Sequence, residues 1–310
     1  MPYTVVGAPK GKASPDSLPV SVLLLNRGSH LYRGEALREL DRLGFESVVS
    51  VEERGSEGAD IEALAARYPR ARFLLLSGPT SPGEMVNLGL RESSGPFVFV
   101  LWSDMRLSTQ GLSSRFFERL AERDALCQAP FLATKDGEAI PSAASPALHG
   151  SSLKVLSLPP AKDGAKSLYP FDFCGIYSRE RFVLSGGFDG GIKSPYWQLL
   201  DFGFRAWLWG EEIRLAQAFK VAYDEAQAVE DTTADESYAR FWLKNLAPSF
   251  RGDSSQLTIS RFWSYLRSRS GNPVSAVSEF RAAREWVKIN RYRFRSDAAS
   301  LVDLWGEEAE

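Results

Sequence analysis

The chain has 310 residues, of which 44% are hydrophobic and 25% charged, and its formal net charge is -2. This composition predicts one large globular domain with an appendage, and the absence of a basic excess argues against a nucleic-acid-binding protein. No apolar run reaches the roughly 18 residues of a membrane-spanning helix, and the N-terminus lacks the layout of a secretory signal, so we expect a cytoplasmic protein.

Apolar runs of strand length alternate with helical patterns through the first part of the chain. The run VSVLLL at 20–25 precedes a helical pattern at 34–44, and three similar pairs follow, with strands at 46–52, 71–77 and 95–102. Four such units predict an α/β fold with a Rossmann-like, mostly parallel central sheet and helices on both faces. Because such sheets bind ligands beyond the carboxyl ends of their strands, the polar loops that follow these strands are the candidate site.

The common nucleotide-binding and hydrolytic motifs are absent from these loops. The sequence contains neither G-x-G-x-x-G after the first strand nor G-x-x-x-x-G-K-[ST], and it has no G-x-S-x-G; its only histidines are His30 and His149. A dinucleotide-dependent dehydrogenase, a P-loop enzyme and a Ser-His-Asp hydrolase are therefore disfavoured.

Several short motifs recur in the order and spacing of a known family. The acidic turn VEERGSEG occupies 51–58, Gly83, Asn87 and Gly89 precede the fourth strand, and that strand ends at Ser103-Asp104. In these features the chain resembles family 2 glycosyltransferases and other enzymes with the GT-A fold. The resemblance, which spans roughly 18–235, implies a GT-A domain over residues 1–240 and leaves 241–310 as a helical C-terminal extension packed on it.

The resemblance implies a nucleoside-diphosphate sugar as donor, UDP- or GDP-linked, and Mg²⁺ or Mn²⁺ as metal. Asp104 corresponds to the last Asp of the family's Asp-x-Asp metal motif, whereas Trp102 stands in place of its first Asp. The alternative for Asp104 is a turn or helix-capping role. The donor-binding residues expected from the resemblance are Asn26, Glu53, Asn87 and Ser103.

The stretch at 185–215 begins with a glycine turn and continues into a predicted helix over 195–209. It resembles the Gly-Gly-Phe-Asp segment and the following acidic helix of family 2 enzymes, and 199–213 is also similar to polypeptide N-acetylgalactosaminyltransferases.

The resemblance implies catalytic roles for Asp201 and Arg205, with Asp189 as a second candidate base. Gln198-Leu199 replace the acidic pair that supplies the base of inverting members, which weakly favours retention. An ordinary i, i+4 ion pair between Asp201 and Arg205 and a turn role for Asp189 are the alternatives.

Two segments beside these motifs have less specific patterns. The acidic stretch after Tyr223 lies where many GT-A enzymes supply a third metal ligand, and Glu230 or Asp231 is the candidate here, with a solvated loop as the alternative. Residues 134–170, rich in Pro, Ser, Ala and Gly, are predicted to form a long loop or acceptor flap.

The last 70 residues read as three amphipathic helices, at 237–250, 255–271 and 275–295. The third mixes basic and aromatic residues. An apolar face docked on the protein with a solvated basic face is the favoured interpretation, and contact with an anionic membrane surface or a lipid-linked acceptor is the other.

These features predict a metal-dependent transferase that moves a hexose-type sugar from a nucleoside-diphosphate sugar to a saccharide or lipid-linked acceptor. The rival hypothesis is a degenerate, non-catalytic GT-A domain that binds a ligand or partner. Trp102 and the missing acidic pair support the rival, whereas the spacing of the donor loops supports an enzyme.

Overall fold

The computed structural model describes residues 2–9, 17–27, 30–52, 61–108, 113–149, 152–268 and 273–306. The strands in these ranges are β1 (Tyr3–Gly7), β2 (Leu18–Leu25), β3 (Phe45–Glu52), β4 (Ala71–Leu76), β5 (Phe97–Trp102), β6 (Met105–Leu107), β7 (Cys127–Ala133), β8 (Ala143–His149), β9 (Ser152–Leu158), β10 (Gly175–Ser178), β11 (Ile213–Tyr223), β12 (Ser249–Arg251) and β13 (Ser254–Gln256). The helices are α1 (His30–Arg42), α2 (Ile61–Arg67), α3 (Pro82–Glu92), α4 (Ser114–Glu122), α5 (Arg179–Ser185), α6 (Pro195–Leu208), α7 (Glu236–Phe241), α8 (Ser260–Ser268), α9 (Pro273–Asn290) and α10 (Ala298–Asp303).

The central sheet has the order β1-β4-β3-β2-β5-β10-β7-β11-β6 in the described part of the chain. Strands β4, β3, β2 and β5 are parallel, and β7 and β11 run in the same direction because β10 is antiparallel to both β5 and β7. The edge strands β1 and β6 are antiparallel to their neighbours. The predicted α/β fold with a mostly parallel central sheet is thus confirmed.

Burial on both faces explains why β2, β3 and β5 read as continuous apolar runs. All residues from Val20 to Leu25 are buried, as are 98–102 in β5. The register pairs Leu25 with Trp102 on one side and with Val51 on the other, so these three strands end at nearly the same level. The loops that follow them therefore converge on one edge of the sheet.

The prediction of a long loop over 134–170 is wrong, because β8 and β9 form an antiparallel hairpin within it. The hairpin pairs Ala143 with Leu158 at one end and His149 with Ser152 at the other. Its Pro and Ser content suggested a loop, but a two-stranded ribbon tolerates Pro146, whose missing N–H costs less at an edge than in a central strand. The helix predicted over 237–250 is also shorter than expected, since β12 and β13 form a second hairpin.

Helix α6 is buried on nearly every side, which fixes the environment of its polar residues. The predicted helix over 195–209 is observed, with Leu200 and Phe204 fully buried. Gly203 permits close contact with another segment, because a Cβ there would lie 2.1 Å from the carbonyl oxygen of Leu168. Apolar residues lie on most faces of α6, as is typical of a helix in a protein interior, and Asp201 and Arg205 are buried with them.

The C-terminal helices surround a smaller hydrophobic cluster. Phe280, Ala283 and Val287 of α9 are buried in it, whereas Arg281 and Arg284 are exposed. Trp286 of α9 stacks on Trp209, with ring centroids 5.8 Å apart. None of the helices in the described ranges has the length and apolar character needed to cross a membrane.

Candidate functional site

The ends of β2 and β5 place Arg27 beside Asp104. Each residue follows its strand by two positions, and the two strands are adjacent and parallel. The buried Ser103 fixes the backbone of Arg27, because its hydroxyl accepts from the Arg27 N–H at 3.2 Å and donates to the Arg27 carbonyl at 2.9 Å. Ser103 is thus occupied by protein backbone, and its predicted contact with the donor stays a prediction.

The Arg27 guanidinium bridges two carboxylates from different segments. Its Nε donates to Asp104 Oδ2 at 2.7 Å, and Nη1 lies 2.8 Å from Asp172 Oδ2. Burial lowers the pKa of Arg27, but the charges of Asp172 and Asp104 outweigh burial and raise it, so the side chain remains a cation.

Two aromatic rings enclose this cation. The Arg27 Cζ lies 4.5 Å from the ring centroid of Trp102 and 5.6 Å from that of Tyr223. The Trp102 indole N–H donates to the backbone carbonyl of Asp172 at 2.8 Å, and the Tyr223 hydroxyl donates to Asp172 Oδ2 at 2.9 Å. Cation–π contacts of this kind are strongest where water is excluded.

Asp172 occupies a strained turn between β9 and β10. Its φ is 52° and that of Phe173 is 61°, in the left-handed region that residues with a Cβ rarely adopt. Burial raises the pKa of Asp172 to about 6, although Arg27 and the Tyr223 hydroxyl favour its ionised form. The turn thus carries a carboxyl group with a raised pKa beside the Arg27 cation.

Glu230 lies close to this turn. The Tyr169 hydroxyl donates to Glu230 Oε2 at 2.9 Å. Burial raises the pKa of Glu230 to about 7, the Tyr169 hydrogen bond opposes the rise, and the charge of Asp172 adds to it. We call the group formed by Arg27, Trp102, Asp104, Asp172, Tyr223 and Glu230 the strand-end cluster.

Several buried polar atoms at this edge have no hydrogen-bond partner among the described residues. They are Asn26 Oδ1, Arg27 Nη2, Asp104 Oδ1 and Glu230 Oε1. Nine further buried polar atoms, spread over the rest of the described residues, also have no hydrogen-bond partner. Because buried polar atoms in folded proteins are nearly always paired, the four at this edge offer hydrogen-bonding groups to a ligand or to water.

Asn26 connects the end of β2 to the end of β3. Its Nδ2 donates to the Ser50 hydroxyl at 3.0 Å and to the Val51 carbonyl at 2.8 Å. Next to it, Glu52 is buried and paired with Arg33 at 2.5 Å. The predicted nucleotide contact Glu53 lies in 53–60, outside the described residues.

The described residues do not fit a divalent metal ion at the strand ends. One oxygen of Asp104 holds the Arg27 guanidinium, whose positive charge opposes a second cation, and Trp102 supplies no ligand. The structure does not bring Asp104, Glu230 and Asp231 together as a ligand set, since no group of three His, Cys, Asp or Glu side chains suited to a metal occurs in the described ranges. Asp231 is exposed, and it accepts from the Thr233 N–H at 3.0 Å.

Asp201 and Arg205, the predicted catalytic pair, lie within a buried network of charges. Asp201 is fully buried; its Oδ1 lies 2.9 Å from Lys244 Nζ and accepts from Asn245 at 2.8 Å, and Arg205 contacts its Oδ2 at 3.3 Å. Arg205 also donates to the carbonyl groups of Ser185 and Gly187. In this arrangement both side chains are enclosed by protein, and their predicted catalytic roles stay predictions.

Asp189 and Asn87 hold the glycine turn that precedes α6. Asn87 donates to the Phe188 carbonyl at 2.7 Å and accepts from the Phe188 N–H at 2.9 Å. Asp189 pairs with Lys244 and Arg240 at 2.8 Å; burial opposes its ionisation, but these cations outweigh burial and hold its pKa below the usual range. We call Asp189, Asp201, Arg205, Lys244 and Asn245 the α6 network.

Gln198, in place of an acid, is also fully buried. Its Oε1 accepts from the Gly83 N–H at 3.1 Å, and its Nε2 donates to the Ser81 hydroxyl at 2.8 Å. It joins α6 to the start of α3 as a neutral side chain.

Sequence reasoning did not single out Arg27, Asp172 or Tyr223. A basic residue two positions after a strand, in a loop already assigned to the site, is the one signal that would have pointed to Arg27. Asp172 and Tyr223 are distant in sequence and come to the site only through the antiparallel strand β10 and the long strand β11.

The fold of the chain is similar to that of proteins of known structure. No protein-family model matches the sequence, and no curated protein matches it. Among solved structures, GalNAc-T7 with UDP, GalNAc and Mn²⁺ has a TM-score of 0.61 to this chain, with 12% sequence identity over 95% of this chain and 57% of its own. This chain has a GT-A fold.

A second solved structure supports the same assignment. S. aureus TarS 1-349 in complex with UDP-GlcNAc has a TM-score of 0.52 and 17% identity, covering 72% of this chain and 64% of its own. The chain therefore spans less than two thirds of either protein. The likeness confirms the predicted GT-A fold, and both structures hold a uridine nucleotide, UDP in the first and UDP-GlcNAc in the second.

Proposed function

We propose that the protein transfers a glycosyl unit from a nucleoside-diphosphate sugar, UDP- or GDP-linked, to a hydroxyl group of a saccharide or lipid-linked acceptor. The observation that carries the proposal is that four buried polar atoms without a partner among the described residues lie together at the carboxyl ends of β2 and β5 and in the segment after β11. In an open α/β sheet this edge is the ligand-binding edge, and the polar groups of a nucleotide sugar would complete these hydrogen bonds.

The strand-end cluster has the groups that glycosyl transfer requires. The acceptor oxygen attacks the anomeric carbon while the nucleoside diphosphate leaves with the electrons of the broken bond, and a nearby cation stabilises the charge that develops on it. Arg27 is that cation. Glu230, with its pKa of about 7 and one unpaired oxygen, is suited to accept the proton of the acceptor hydroxyl near neutral pH.

The predicted divalent metal is left out of this mechanism. GalNAc-T7 was solved with Mn²⁺, but the side chains in the described part of the present chain do not supply a ligand set for such an ion. Location in the cytoplasm and peripheral contact with a membrane stay predictions from sequence.

The test is nucleotide release from UDP-glucose, UDP-GlcNAc, UDP-GalNAc and GDP-mannose, with and without an acceptor panel. We expect turnover of at least one donor and a loss of about tenfold or more in Asp104→Asn, because the neutral amide no longer fixes the Arg27 guanidinium. Asp253→Asn, a matched change in the exposed turn between β12 and β13, should leave the rate unchanged.

Two outcomes contradict the proposal. If no donor binds or is turned over, the strand-end cluster is not a donor site. If a donor binds but no nucleotide is released with any acceptor, the degenerate binding domain becomes the better account, which the buried and neutral Gln198 would then support.

A further inference from the structure

The contacts of Arg27 resemble those of a bound metal ion more than those of a surface arginine. A single cationic group joins the loop after β5 to the turn before β10, through Asp104 at 2.7 Å and Asp172 at 2.8 Å. Only 27% of the Arg27 side chain is exposed. A partly buried cation that joins two acidic segments performs the structural role of a divalent ion between carboxylates.

Trp102 is the residue that makes this arrangement possible. An acid at 102 would add a metal ligand, whereas the indole ring lies under the guanidinium at 4.5 Å and fixes the Asp172 backbone through its N–H at 2.8 Å. The same replacement therefore removes a ligand for a metal and supplies a flat surface for a guanidinium.

Arg27 still has an unused donor. Nε and Nη1 are bound to the two carboxylates, while Nη2 is buried and has no partner among the described residues. An acceptor with negative charge satisfies such a donor best, since hydrogen bonds between ionised groups are shorter and stronger than neutral ones. The unpaired Nη2 thus points to an anionic ligand oxygen, and phosphate is the anion that arginine binds with matched geometry.

We infer that the Arg27 guanidinium is the resident cation of the donor site and binds the diphosphate of the nucleotide sugar in place of a divalent metal. This inference rests on the proposed function. Asp104 and Asp172 orient Arg27 for this role, and Trp102 and Tyr223 hold its plane. Donor binding is consequently independent of added metal.

The experiment measures the Kd of UDP and GDP by titration calorimetry, in EDTA and in Mn²⁺, for the wild type and for Arg27→Gln. We expect the wild-type Kd in EDTA and in Mn²⁺ to agree within about threefold. Arg27→Gln should weaken binding in EDTA by about 10- to 100-fold, because it removes a charge-assisted hydrogen bond to phosphate. Mn²⁺ should restore part of that affinity, because Asp104 and Asp172 are then free of the guanidinium.

Two further variants keep the result interpretable. Arg38→Gln makes the same change at an exposed position of α1 and should bind UDP like the wild type. Arg27→Lys retains the charge but presents one ammonium to two carboxylates, so it should bind with an affinity between those of wild type and Arg27→Gln. If Arg27→Gln fails to give a cooperative melting transition, the comparison of Arg27→Lys with the wild type in EDTA decides the question.

The outcomes separate this inference from the proposed function. Wild-type binding that needs Mn²⁺, or an Arg27→Gln variant that binds UDP in EDTA as tightly as the wild type, overturns the role of Arg27 and leaves a nucleotide-binding site intact. A wild type that binds neither UDP nor GDP under either condition overturns the proposed function itself, and the role of Arg27 with it.

Discussion

Each charged side chain at the strand ends is fixed by groups from a different segment of the chain. Arg27 follows β2, Asp104 follows β5, Asp172 lies before β10, and Glu230 lies beyond β11. The result is a mixed group of one cation and three carboxyls, two of which have raised pKa values. The protonation of these two carboxyls sets the net charge that an anionic donor meets.

Glu230 should therefore make donor binding depend on pH. Its deprotonation adds a negative charge near the diphosphate, so the Kd of UDP-GlcNAc should rise by about three- to tenfold as pH increases through about 7. UDP-GlcNAc is the suitable probe because its diphosphate, esterified at both ends, does not titrate in this range. Glu230→Gln should flatten the profile, and Glu118→Gln, an exposed change on α4, should not. A wild-type profile without this rise would exclude Glu230 from the donor site.

Glu230 should also make the stability of the folded protein fall as pH rises. The folded pKa of Glu230, about 7, lies above its ordinary value of 4.5, so the folded state binds the proton more tightly than the unfolded chain. Its contribution to stability is complete below about pH 4.5 and is lost as pH rises through about 7. The free energy of unfolding of the wild type and of Glu230→Gln can be measured in urea at pH 5 and at pH 8. Relative to the variant, the wild type should lose about 1 to 3 kcal/mol of this free energy between the two pH values. Parallel curves would contradict the raised pKa.

At the level of elements, the nearly complete burial of α6 decides the role of its charges. Asp201 pairs with Lys244 and accepts a hydrogen bond from Asn245 where water is excluded. Removing one member of a buried ion pair costs about 3 to 5 kcal/mol, because the partner charge remains unpaired. The α6 network thus joins α6 to the π-helical turn Trp242–Leu246 that leads into the C-terminal hairpin.

Asp201 variants distinguish this structural role from the catalytic role that the sequence suggested. We expect Asp201→Ala to lower the free energy of unfolding by about 3 to 5 kcal/mol and Asp201→Asn to lower it less, since the amide retains hydrogen-bonding capacity. Turnover per folded molecule should be unchanged in Asp201→Asn. A folded Asp201→Asn protein that has lost turnover would instead support the predicted catalytic assignment.

The sequence predicted elements well where periodicity or continuous burial marked them. Four strand-helix units, the helix over 195–209 and the glycine turn before it all follow from apolar spacing and from glycines such as Gly186 and Gly187, whose φ values of 85° and 62° favour that residue. The hairpin of β8 and β9 was missed because its composition is that of a loop. Burial of Asp201 was missed because the i, i+4 spacing was weighed and the apolar character of the whole of α6 was not.

The candidate site could be predicted from the sequence only in part, because some of its contacts join segments that are far apart in the chain. Asp104 and Asn26 follow strands, so their positions in the sequence predicted that they lie at this edge of the sheet, whereas their predicted roles stay predictions. Asp172 and Arg27 are 145 residues apart, and their contact depends on the antiparallel insertion of β10 between β5 and β7. Local sequence patterns do not specify an insertion of that kind.

At the scale of the whole molecule, the C-terminal helices are coupled to the GT-A core. Lys244 of the α6 network lies 4.5 Å from the ring centroid of Trp286, which also stacks on Trp209. We therefore expect a single calorimetric unfolding transition for the chain. Phe280→Ala should lower the free energy of unfolding by about 3 to 5 kcal/mol and so lower the transition temperature. The neighbouring change Arg281→Ala, at an exposed position, should have little effect. Two separate transitions would show that the extension unfolds on its own.

The basic groove along α9 provides a test of the membrane prediction. Arg281, Arg284, Lys288 and Arg291 line a cavity of about 860 Å³ between α9 and the segment 255–259. Basic residues near an anionic bilayer contribute about 1 kcal/mol each, so these four give at most a millimolar affinity. We expect no co-sedimentation with phosphatidylserine vesicles at physiological salt, in contrast to a polybasic peptide control. Salt-resistant sedimentation would establish membrane contact.

The two edges of the central sheet have a consequence for how the protein behaves in solution. At one edge β1 pairs along all of β4, and at the other β6 and the backbone of 164–167 cover much of the outer side of β11. A long unpaired strand is a template for joining to a second chain. We therefore expect the short segments at both edges to limit edge-to-edge self-association, and deletion of the first nine residues to expose β4 and favour aggregation at high concentration.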